Sequence, residues 1–96
     1  VTAVEGRLAR LDGRQRTKRA VLARLAAELG FPDHFRPNLD ALFDVLTTDI
    51  EGPIRIEWRL TPATAAALGA DLEPLRRTLA DAALARPDLT LELIDG

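Results

Sequence analysis

The apolar residues of this chain recur with two different periods, and the points where the period changes divide it into elements. Residues 7–11, RLARL, are a short strand candidate ended by the turn pair Asp12-Gly13. Beyond Thr17 the spacing becomes helical. Val21, Leu22, Leu25, Ala26 and Leu29 share one stripe, with Thr17 as the N-cap of a helix over about 18–29 and Gly30 as its stop. Phe31-Pro32 opens a loop, and Asn38 caps a second helix over about 39–48. At 54–58, IRIEW, the period is two; this predicts a strand with one buried face and Trp58 in the core. Thr61-Pro62 is a cap followed by proline at the first helical position, and Gly69 stops an alanine-rich helix. Asp71 or Glu73 starts another helix, with Leu72, Leu75, Leu79 and Ala82 on one stripe, and Arg86-Pro87 ends it. Residues 89–94, LTLELI, alternate as the last strand.

The order is strand, two helices, strand, two helices, strand. The intervening segments are long enough for crossovers, which predicts parallel pairing. Parallel strands buried on both sides read as continuous apolar runs, so the alternation in the last two strands predicts a sheet better covered on one face than the other. The expected fold is α/β: a single domain over residues 1–96, with a three-stranded parallel sheet packed with about four helices.

Composition narrows the chemistry. Hydrophobic residues make up 47% of the chain, enough for a core. There is no cysteine, which removes disulfides, thiolate metal sites and cysteine catalysis, and the single histidine, His34, rules out a histidine-rich metal site. No metal or cofactor is expected. No stretch approaches the roughly 20 apolar residues of a membrane span, and no basic-then-apolar export segment opens the chain, so cytoplasmic residence is the expectation.

The net charge of −2 hides an asymmetry: +4 over residues 1–32 and −6 over residues 33–96. The acidic part is densest around FPDHFRPNLDALFDVL, residues 31–46. Between positions 33 and 51 stand five acids (Asp33, Asp40, Asp44, Asp49 and Glu51) against one base, Arg36. On a helical wheel of about 100° per residue, Leu39, Leu42, Phe43 and Leu46 share one arc, while Asp40, Asp44 and Thr47 form a separate polar strip. Asp40 sits in the first turn, where a carboxylate stabilises the positive helix end. Asp44 has no such reason to be there, and like charges four apart repel by about 0.2–0.5 kcal/mol. On the residues alone, the strip reads equally as a solvated face or as an anionic contact surface.

The stretch FPDHFRPNLDALFDVL, followed by GPIRIEWR, the alanine-rich helices and DLTLELI, resembles the barstar family of intracellular inhibitors of the ribonuclease barnase. The resemblance runs from about Leu8 to Ile94. Its most specific part is Asn-Leu-Asp-Ala-Leu-Phe-Asp at 38–44, supported by Glu57-Trp58-Arg59. It implies a three-stranded parallel sheet with helices, and inhibition by occlusion, in which an acidic helix and its preceding loop plug the nuclease active site where RNA phosphates would lie.

By matching position, the resemblance implies Asp40 and Asp44 as the main anionic contacts. His34 stands where the family often has an aromatic contact residue, with Phe35 its ring neighbour. Leu39 and Phe43 match apolar positions at or beside the contact face, and Asp81 matches a more peripheral acid. One departure stands out: Arg36-Pro37 occupies a position where the family commonly has glycine. Proline restricts Arg36 to extended backbone, and its cation would repel a strongly basic partner, so Arg36 bears on partner choice.

The expected partner is therefore an extracellular or toxin ribonuclease of barnase type, bound one to one by a chain that is monomeric when free, in an antitoxin or immunity role. The alternative is an interaction domain of the same fold with a non-nuclease partner. Direct nucleic-acid binding through the basic run RQRTKR at 14–19 is weaker, because the run has no interleaved aromatics and the contact-shaped helix is acidic. Glu57 and Arg59 read as an ordinary surface pair. Enzymatic activity is not expected, since His34 has no partner nucleophile in the pattern.

Overall fold

In the computed structural model, which describes residues 6–95, strands β1 (Arg7–Leu11), β2 (Ile54–Leu60) and β3 (Leu89–Asp95) form one parallel sheet in the order β1-β2-β3. Arg7 lies opposite Ile54 and Leu11 opposite Trp58, while Ile54 and Trp58 lie opposite Leu89 and Leu93. The first connection carries α1 (Lys18–Leu29) and α2 (Leu39–Asp44), and the second carries α3 (Pro62–Leu68) and α4 (Leu72–Ala85). Two right-handed crossovers stepping the same way along a sheet put both connections on the same face. The burial of β2 fits this: Ile54, Ile56 and Trp58 are buried, whereas Arg55 and Arg59 on the other face are exposed.

The expected one-sided coverage is therefore present. The uncovered face carries a ladder of charges in place of apolar side chains. Arg10 pairs with Glu57 at 3.0 Å, Glu57 with Arg55 at 2.9 Å, and Arg55 in turn with Glu92 across the next strand. Hydrogen bonds from Arg55 first, then Arg10, hold the Glu57 carboxyl below its ordinary pKa. The expected Glu57–Arg59 pair is not formed. Glu57 turns to Arg55, two residues back on the same face, and to Arg10 directly opposite it in the register. Exposed pairs of this kind add little stability, but they keep the face hydrated.

The helix starts follow their caps. The side chains of Thr17, Asn38 and Thr61 accept hydrogen bonds from the backbone N–H groups of Ala20, Ala41 and Thr64. Gly30 closes α1 in the left-handed region at φ 70°, where a side chain would be strained. The expectation of about four separate helices is corrected. Among the described residues, helical backbone falls in three unbroken stretches, 18–29, 39–49 and 62–85. Gly69 ends α3 as expected, at φ 54°, but a 3-10 turn over Gly69–Asp71 leads directly into α4, so the two run on as one helical stretch. Between sheet and helices lies the core, in which Leu22, Leu25, Leu29, Leu42, Leu46, Ile56, Trp58, Leu75 and Leu79 are all fully buried. None of the helices among the described residues is long and apolar enough to cross a membrane.

Candidate protein-binding site

The segment between α1 and β2 is held firmly before any of its charges come into play. Its leading loop is braced by an edge-to-face contact of Phe31 and Phe35, with ring centroids 4.8 Å apart, and both rings pack on the core. The Phe35 N–H donates to the Pro32 carbonyl at 3.0 Å. The Asn38 N–H donates to the Arg36 carbonyl at 2.7 Å, closing a tight three-residue turn around Pro37. Arg36 is thereby fixed at the backbone while its side chain stays exposed.

Helix α2 does not continue as an α-helix to residue 48. After Asp44 it widens into a π-helical turn over Val45–Asp49, in which the Ile50 N–H bonds back to the Val45 carbonyl at 3.2 Å. Within it Thr47 donates to the Phe43 carbonyl at 2.8 Å and Thr48 to the Asp44 carbonyl at 2.6 Å, each hydroxyl bonding back four residues. The consequence for the surface is geometric. Residues five apart on an α-helix face about 140° away from each other, whereas a π turn brings a residue round in i to i+5 steps. Asp49 therefore joins Asp44 on one groove.

That groove, about 280 Å³, is lined by His34, Phe35, Arg36, Ala41, Asp44, Val45 and Asp49. Of the residues expected at a contact face, it brings together His34, Phe35, Arg36 and Asp44. Asp40 is exposed in the first turn of α2 but does not line the groove. Leu39 and Phe43 are half-buried and pack on the core, which leaves only part of each for any partner. Asp81 is exposed on α4, a separate element.

Elsewhere Glu28, Glu57, Glu73, Asp88 and Glu92 pair with arginines, while Asp12, Asp71 and Asp81 form no ion pair among the described residues. Among the described residues no ion pair involves Asp33, Asp40, Asp44, Asp49, Glu51 or Arg36. Asp49 receives one neutral bond, from the Thr48 hydroxyl at 3.2 Å. A larger hollow of about 380 Å³ lies between the strand starts, but its arginines are already engaged: Arg7 with backbone carbonyls and Arg55 with Glu57 and Glu92. The smaller groove is where unpaired charge meets an aromatic wall.

Two arginines absent from the expected set anchor this segment. The Arg7 side chain donates to the Leu29 carbonyl at 2.8 Å and to the Glu51 carbonyl at 3.0 Å, fastening both ends of the connection to β1. Arg86, with a side chain only 14% exposed, donates from one terminal nitrogen to the Leu46 carbonyl at 2.9 Å and to the Ile50 carbonyl. Its Nε donates to Asp88 at 2.6 Å, and this bond holds the Asp88 carboxyl below its ordinary pKa. Nothing local in the sequence signals either arginine, since the bonds of Arg86 reach 36 and 40 residues back along the chain. Asp49 was visible as an acid, but an α-helical wheel puts it on the wrong side.

Among the described residues no group of three or more His, Asp or Glu is placed to hold a metal ion. What the groove offers is a concave surface on which Asp44 and Asp49 outnumber Arg36. The family model for barstar, the barnase inhibitor, matches residues 7–93, nearly the whole chain. This chain belongs to the barstar family, an inhibitor family whose partners are barnase-like ribonucleases.

Proposed function

We propose that this chain is a stoichiometric inhibitor of a small ribonuclease of the secreted or toxin type. In this reading it is not an enzyme, needs no cofactor, and works as a cytoplasmic monomer that covers the nuclease active site with α2 and its preceding loop. The observation that carries the reading is a pair of carboxylates without a salt-bridge partner among the described residues, Asp44 and Asp49, on one groove beside His34, Phe35 and Arg36. An enzyme that cleaves RNA must collect Arg, Lys and His to hold phosphate. A preformed anionic face meets those cations with charge-assisted hydrogen bonds and draws them in over the Debye length of about 10 Å. Asp44 is then the central contact and Asp49 its neighbour. Asp40, His34, Phe35, Leu39 and Phe43 surround them, and Asp81 is peripheral.

Arg36 supports a refinement of the partner. Its exposed, unpaired cation lies on the same groove and faces whatever docks there. A nuclease that accepts it presents an acidic group at that point, so the target differs locally from one matched to a glycine. The test is to titrate the folded protein into a panel of small microbial ribonucleases and follow RNA cleavage. Loss of cleavage at one equivalent for at least one enzyme is expected. Failure against all of them, with a folded sample, would overturn the inhibitor reading and favour an interaction domain with a non-nuclease partner.

A further inference from the structure

We propose that Arg86 is a positioning residue for the acidic groove: it clamps the π turn after α2 to the start of β3 and so sets where Asp49 stands beside Asp44. All the donor directions of its guanidinium but one are used. Nε and one terminal nitrogen grip the Asp88 carboxylate side-on, at 2.6 and 3.1 Å. The other terminal nitrogen spans the Leu46 and Ile50 carbonyls. The Leu46 carbonyl belongs to the last turn of the helix, where the helix dipole is negative, and the Ile50 carbonyl lies just past it. A planar, permanently charged fork is the one side chain that can hold a carboxylate and two diverging carbonyls at once. Lysine, a point charge, cannot.

Gly52 shows how tightly the clamp is built. A Cβ at this position would collide with the Asp88 carboxylate and the Arg86 guanidinium. The chain leaving the π turn thus passes directly over the ion pair, and a side chain there would prise it apart. At the end of the turn the Ile50 N–H bonds back to the Val45 carbonyl. Arg86 holds the two carbonyls on either side of that closure, Leu46 within the turn and Ile50 just past it. Asp49 immediately precedes Ile50 and projects from the clamped segment.

The first test needs no partner. Amide hydrogen exchange is measured by NMR on the full chain, comparing wild type with Arg86→Lys and Gly52→Ala, and with Asp88→Asn should Gly52→Ala fail to fold. Ile50 N–H exchange is expected to accelerate at least tenfold more than that of Ile56 in the central strand. Equal acceleration at both sites, or none at Ile50, would overturn the clamp. The link to binding rests on the inhibitor reading above and is tested by a double-mutant cycle on a ribonuclease that the wild type inhibits. The affinity lost on Asp49→Ala should shrink at least threefold when Arg86 is already lysine. Strictly additive losses would overturn the positioning role. Absence of any inhibited ribonuclease would instead remove the inhibitor reading and leave the exchange result to decide the clamp.

Discussion

Replacing Asp44 with alanine separates a contact residue from a structural one, because the two roles predict opposite signs of change in stability. Asp44 is exposed, with no ion-pair partner among the described residues, and only its backbone carbonyl is used, by Thr48. Asp44→Ala keeps that carbonyl. It gains helix propensity of up to about 0.7 kcal/mol and removes repulsion from Asp40, one turn earlier, of about 0.2–0.5 kcal/mol. The net expectation is a more stable protein, by roughly 0.5–1 kcal/mol, or about 2–8 °C in Tm for a domain of this size. Binding should move the other way. A hydrogen bond to a charged group contributes about 1.5–3 kcal/mol, so affinity for the inhibited ribonuclease should fall by roughly 10- to 150-fold.

Both quantities are accessible on one sample. Trp58 is the only tryptophan and is fully buried, so its fluorescence reports unfolding. Inhibition of RNA cleavage at graded inhibitor concentrations gives the affinity. A variant that unfolds earlier but inhibits as well as wild type would refute the reasoning, since Asp44 would then be holding the fold and not the partner.

Three further outcomes follow from the same geometry. Arg36→Gly should speed association with a basic partner at low salt, with the gain fading as salt screens the charge; stopped-flow rates at several ionic strengths check this, and a large affinity loss would show that Arg36 makes a favourable specific contact. Acid should destabilise the fold in a defined window. Glu57 and Asp88 have folded pKa values below their ordinary 4.5 and 3.8, so their contribution is complete above those values and is lost as pH falls through the lower folded ones. Urea midpoints should thus be insensitive to these two groups above about pH 5 and fall below that, with Glu57→Gln flattening part of the fall. Finally, Leu46→Ala should cost about 2–5 kcal/mol in urea unfolding, because Leu46 is fully buried beneath the π turn and leaves a cavity.

The strands and their parallel order were legible because alternation reports burial directly, and because segments as long as those between Leu11 and Ile54, or between Leu60 and Leu89, demand crossovers. The caps at Thr17, Asn38 and Thr61 were legible for a related reason: a cap bonds to a group only three residues away. What escaped the pattern depends on changes of helix type or on distance. Gly69 does stop α3, but the pattern did not show that a single 3-10 turn carries the chain straight into α4. The π turn shifts the phase of the residues after Asp44, and helical periodicity assumes a constant step of about 100° per residue. For that reason Asp44 could be placed on the candidate surface while Asp49 could not. Arg86 looked like a helix end because its partners lie on another element, where no local window reaches.

The same residues explain why the groove stays charged in the free protein. Asp44 has Asp40 one turn before it and Thr48 one turn after it, and neither position holds a base. The chain has bases to spare, with 13 Lys and Arg, but Arg10 and Arg55 cross the open sheet face to Glu57, and Arg55 goes on to Glu92. Arg7 and Arg86 turn inward to backbone carbonyls at the ends of the acidic segment. Their positive charge therefore stiffens the segment from behind while leaving its outward carboxylates without a salt-bridge partner. Internal pairing would have relieved the repulsion between Asp40 and Asp44, a gain of only a few tenths of a kcal/mol. It would also have consumed the groups that an external cation can meet. Rigid backing with an unneutralised front suits a surface meant for a cationic partner better than one shaped by stability alone.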